Sequence, residues 1–177
     1  MKVFWGKAVF ISDMSRLATY ETEIVLPVRP KPDPRTGTLN IPKGSLSLDI
    51  LRLALEKTAR DHGGTVFSGP EAFYSDCEGR RHRALFSLHT ADFARGIGIN
   101  IAPDGRLTFA YDASPPEELA GKFNAQPEAA ERICKEIAHN YAVIAVMRAQ
   151  AKLGFRVGLS QANIHGRKAA LVTGVKP

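Results

Sequence analysis

IGINIAPDGRLTFAYD, residues 97–112, is the stretch on which the fold turns. Apolar and polar residues alternate on both sides of Pro103-Asp104-Gly105. Proline presets the first turn dihedral and Asp-Gly accepts the left-handed conformation. Two alternating runs across this tripeptide therefore predict a β-hairpin. Gly96 and Gly98 form a G-x-G just ahead of it, but a strand follows where a dinucleotide fingerprint needs a helix.

Downstream, Ser114-Pro115-Pro116 breaks the chain, and a long helix is predicted from about Pro127 to Leu153. Pro127 suits the first turn, Glu128 and Glu131 suit the positive end of the helix dipole, and Gly154 suits the C-terminal cap. Ile133, Ile137, Tyr141 and Ile144 form an apolar stripe, with Ala130, Ala138 and Ala145 beside it. At 1.5 Å per residue such a helix spans about 40 Å, enough to cross a sheet. Residues 155–159 (FRVGL) and 168–175 (KAALVTGV) read as closing strands.

Upstream, residues 84–90 (ALFSLHT) alternate as a strand, and residues 65–67 read as a short one before a Ser68-Gly69-Pro70 turn. A helix is predicted to open at Ser47, whose hydroxyl suits the cap, with Asp49 at its positive end. Leu48, Leu51 and Leu55 share one face of it, and Gly63-Gly64 ends it. Residues 18–26 (ATYETEIVL) alternate, and residues 3–11 (VFWGKAVFI) are apolar and β-prone. Between the second strand and the first helix, prolines stand at positions 27, 30, 32, 34 and 42. Proline lacks a donor and fixes φ, so residues 27–46 read as a long loop or arm. The expectation is a single α+β domain over residues 1–177, with an N-terminal extension 1–17 and the proline-rich arm 27–46. Its antiparallel sheet carries two helices packed on one face.

Composition agrees. The 177 residues are 44% hydrophobic and 24% charged, which excludes global disorder and a coiled-coil rod. Two cysteines, Cys77 and Cys134, make no disulfide framework and suit a reduced, cytoplasmic setting. Lys7 interrupts the only apolar run near the start, and no run approaches the roughly 18 apolar residues of a membrane span. No membrane partner is expected.

The formal net charge is +6, unevenly spread. Arg80, Arg81, His82 and Arg83 are consecutive, and residues 150–177 carry Lys152, Arg156, Arg167, Lys168 and Lys176 with no acidic residue. Arg80, Arg81, Arg83, Arg167 and Lys168 are therefore candidate contacts for nucleic acid or an acidic partner. The plain alternative is a solvated basic surface. If nucleic acid is the ligand, replacing Arg80, Arg81 and Arg83 by glutamine should flatten the salt dependence of binding without altering stability.

Chemistry is sparsely signalled. Cys77 and His82 are five residues apart, as are Cys134 and His139. Five residues along a strand put side chains on opposite faces, and along a helix about 140° apart, so neither pair chelates a metal alone. All four together form only a minor metal-site candidate. His139 has no orienting carboxylate nearby except Glu136, and Gly44-Ser45-Leu46-Ser47 is not a nucleophile elbow. No catalytic residue and no cofactor are assigned.

ATYETEI, LDILRLAL, GIGINIAPDGRLTF, HNYAVIAVMRAQAKLGFRV and AALVTGV occur in this order along the chain. In these pieces the part from about Ala18 to Val175 resembles the hypothetical chloroplast reading-frame proteins of cyanobacteria and red-algal plastids, with their bacterial relatives. Tyr141-Ala142 and the Lys152…Gly154-Phe155 exit match best. The family usually continues its Tyr-Ala pair with tyrosine and histidine; this chain has Val143 and Ile144. The resemblance implies an α+β fold of order β-α-β-β-β-α-β-β after the N-terminal strand. It also implies an accessory role, since some relatives are encoded near AAA-type ATPases and small ferredoxin-like proteins. The functional expectation is a non-enzymatic accessory or adaptor protein with a protein partner. Nucleic-acid binding is the alternative, and a metal protein or enzyme the second alternative.

Overall fold

The computed structural model describes residues 8–11, 17–28, 31–32, 39–40, 45–114, 127–164 and 167–176. In chain order, β1 (Ala8–Ile11) and β2 (Leu17–Val25) precede a two-residue pair, β3 (Lys31–Pro32) and β4 (Leu39–Asn40). Helix α1 (Leu46–Asp61) leads to β5 (Thr65–Ser68), β6 (Phe73–Ser75), β7 (Arg81–Arg83) and β8 (Phe86–His89). Strands β9 (Ile97–Ile101) and β10 (Arg106–Asp112) are followed by α2 (Pro127–Lys152), β11 (Arg156–Ile164) and β12 (Arg167–Val175).

The Pro-Asp-Gly hairpin lies at the centre. Phe109 pairs with Ile99 and Leu107 with Ile101, and Gly105 takes φ 89° in the turn. β2 adds beside β10 and β8 beside β9, giving a six-stranded sheet in the order β1-β2-β10-β9-β8-β5 with every neighbour antiparallel. Residues 3–7 of the expected first strand lie outside the described residues. The part seen, β1, is an edge strand on β2. Leu26 and Val28 are buried, and the Leu26 amide donates to the Gly105 carbonyl at 2.8 Å. The entrance to the proline-rich segment is thereby stapled onto the central turn.

Alternation decides which face is covered. Ala18, Tyr20, Phe86, Leu88, Ile97, Ile99, Ile101, Leu107, Phe109 and Tyr111 share one core with Leu51, Ala54 and Leu55 of α1 and Ile133, Cys134 and Ile137 of α2. Both helices therefore pack on the same face, and the fold is α+β with its helices and strands in the order read from the sequence. Among the described residues, polar contacts tie α1 and its C-terminal cap to α2. Asn140 donates to the Thr58 hydroxyl at 3.0 Å, the His62 ring meets the Glu136 carboxylate at 2.8 Å, and Ser47 hydrogen-bonds Tyr141.

Ser47 is thus not the cap of α1. The helix begins earlier, and the Ser45 carbonyl accepts the amides of Leu48 and Asp49. Ser47 is turned into the interface with α2, where a free hydroxyl would be costly without the tyrosine.

Two further elements depart from expectation. Residues 73–83 form a β6–β7 hairpin, with Tyr74 opposite His82. This hairpin lies on the sheet face away from the helices, above Gly98, whose neighbours Ile97 and Ile99 point into the core. The closing strands are longer than read and, among the described residues, pair only with each other. The buried residues of α2 end at Tyr141, and its later turns are half-buried or exposed. The β11–β12 ribbon then folds back on those turns.

Candidate functional site

The β6–β7 hairpin is organised by one carboxylate. Asp76 is buried at the hairpin turn, where Gly79 takes φ 81°. Its Oδ1 accepts the amides of Glu78 (3.0 Å) and Arg80 (2.9 Å). Its Oδ2 accepts Arg80 Nε (2.7 Å) and His82 Nε2 (3.0 Å). Burial pushes the Asp76 carboxyl up, but these hydrogen bonds together outweigh it and hold the group at about 2. The His82 ring stacks on Tyr74, centroids 5.2 Å apart, while burial and then the Asp76 charge push the Tyr74 hydroxyl up.

This arrangement splits the basic cluster. Arg80 is tied to Asp76 and also reaches Glu78 at 3.1 Å. Arg80 thus differs from the solvated arginine the sequence suggested, because its guanidinium pairs with a buried carboxylate. Arg81 and Arg83 alternate with His82 along β7 and are exposed; Arg81 lies 4.2 Å above the Phe73 ring. Arg167 and Lys168 open β12, and their side chains lie outside the described residues. β7 lies on the sheet face away from the helices, whereas the β11–β12 ribbon contacts α2.

Nor do the four metal candidates meet. Cys134 is fully buried in the helix-side core, where desolvation pushes its thiol well up, and His139 points outward from the same helix. Cys77 and His82 belong to the hairpin on the far face. Among the described residues no group of three or more His, Cys, Asp or Glu could hold a metal ion.

Two features were missed in the sequence. Arg95 and Asp112 are a wholly buried ion pair, Nη1 to Oδ2 at 3.2 Å. Nothing local marks either residue, since Arg95 sits beside Gly96 in an ordinary loop pattern. The second is a groove of about 450 Å³ between α1, α2 and β11. Its floor is Leu53, Ile144, Met147 and Val157, and its rim holds Lys57, Arg60 and Arg148. Past it Val146, Leu153, Leu159, Leu171 and Val175 are all exposed, with Leu159 on the Val157 face of the ribbon and Leu171 and Val175 on the other. The signal lay in the closing strands, which carry more apolar residues than a lone ribbon can bury.

Among the described residues no helix is long and apolar enough to cross a membrane. No protein-family model, curated protein or solved structure matches the chain.

Proposed function

We propose that this chain is a non-enzymatic accessory or adaptor protein that works by holding another protein, with the AAA-type ATPases suggested by the family resemblance as its setting. The observation that carries this reading is the set of exposed apolar side chains at the end of α2 and on both faces of the β11–β12 ribbon. Leu153 is 71% exposed and Val175 65%, and no described ribbon side chain is buried. Two strands are marginal in water by themselves, and large apolar side chains left exposed on both faces of such a ribbon fit one that a partner completes. The most reaction-like pair, Asp76 and His82, is spent on structure, because both carboxylate oxygens already accept two hydrogen bonds each.

The test compares affinity-tagged wild type with a Leu153→Ser, Leu159→Ser, Leu171→Ser variant in native cells. A protein recovered at near-stoichiometric level with wild type and lost from the folded variant supports the reading. Equal recovery with both overturns it. Submicromolar binding to RNA or DNA at about 150 mM salt, lost on changing Arg81 and Arg83 to glutamine, would replace it with nucleic-acid binding.

A further inference from the structure

The groove between α1, α2 and β11 has a geometry that names its occupant. Leu53, Lys57 and Arg60 are spaced four and three apart on α1. Ile144, Met147, Arg148 and Ala151 follow the same helical spacing on α2. Each helix thus offers one face over two turns, roughly 10 Å of length. That length matches the i, i+3, i+4, i+7 stripe by which an amphipathic helix docks.

Charge chooses the partner. Among the described residues no acidic side chain lines the groove. Lys57 is paired with Asp61, but among the described residues no carboxylate pairs with Arg60 or Arg148. Two guanidinium groups that no described carboxylate neutralises, above an apolar floor, attract an acidic flank and repel a basic one.

We infer that this groove receives an acidic amphipathic helix of a partner protein, leucine-like residues on the floor and carboxylates against Arg60 and Arg148. The inference rests on the adaptor reading and assigns that reading a specific contact.

The probe is a fluorescein-labelled peptide about four turns long, with leucine at i, i+3, i+4 and i+7 and glutamate between them, and its counterpart with lysine for glutamate. The acidic peptide should bind at least about tenfold more tightly than the basic one. It should also shift the Met147 methyl resonance. The exposed pair Arg60→Glu, Arg148→Glu should invert the preference, a result that a general loss of folding cannot mimic. Equal affinity for the two peptides, no binding of the acidic peptide at about 1 mM, or an unmoved Met147 methyl would overturn the assignment. If a native partner is still captured by wild type and lost from the leucine variant, the adaptor reading survives that failure.

Discussion

Tyr74 occupies the space that a side chain on Gly98 would need: a Cβ built at Gly98 would lie 2.4 Å from the tyrosine ring. A strand residue in the middle of the sheet is thereby tied to a hairpin that packs across its back. Gly96 plays the same part beneath His89, whose ring nitrogens meet the Phe73 and Ala94 carbonyls.

Gly98→Ala should therefore destabilise the protein by about 1–3 kcal/mol through overpacking. Chemical denaturation would measure it. Combining it with Tyr74→Ala should cost less than the sum of the two single changes, since the second removes the clash created by the first. Strict additivity would show that the hairpin sits elsewhere.

Asp76 predicts an acid-sensitive hairpin. Its folded value of about 2 lies below the ordinary 3.8, so its contribution is full above pH 4 and lost as pH falls through about 2. The whole shift corresponds to roughly 2 kcal/mol, and solvent at the hairpin rim brings that nearer 1. Asp76→Asn should lower stability at neutral pH and flatten the pH dependence between about 4 and 2. An unchanged acid limb would refute the assignment.

The three neighbouring arginines should separate. Arg80→Gln should lower the melting temperature and move the Asp76 titration upward, because it removes the strongest donor to that carboxylate. Arg81→Gln and Arg83→Gln should leave both nearly unchanged, as these side chains are exposed and unpaired with any described carboxylate. A common response in all three would dissolve the distinction.

The Arg95–Asp112 pair should be costly to break and cheap to replace. Asp112→Asn leaves a buried guanidinium without its counter-charge and should cost about 3–5 kcal/mol. Arg95→Met with Asp112→Leu should cost distinctly less than either single change, measured by the same denaturation curves.

Ile137 is fully buried where α2 crosses the sheet. Ile137→Ala should cost about 2–5 kcal/mol and lower the melting temperature by many degrees. An intact melting curve would mean that α2 does not seal the core.

The elements whose information is local were legible in the sequence. Residues 97–112 announced their hairpin because turn dihedrals are set by Pro103, Asp104 and Gly105 alone. Pro127 and Gly154 bracketed α2 because orphan backbone groups at helix ends are satisfied nearby. The alternation in β2, β9 and β10 gave the buried face, since period two needs no knowledge of a partner. Long-range matters were decided only by tertiary structure. Arg80 reads like Arg81 until Asp76 is folded beneath it, Ser47 reads as a cap until Tyr141 arrives from α2, and Arg95 reads as surface until Asp112 pairs with it. The groove of Leu53, Ile144 and Val157 joins residues distant in sequence, so no single stretch could reveal it. Local dihedrals and periodicity are properties of a few consecutive residues. The charge, burial and shape of a site belong to side chains that only the packed fold brings together.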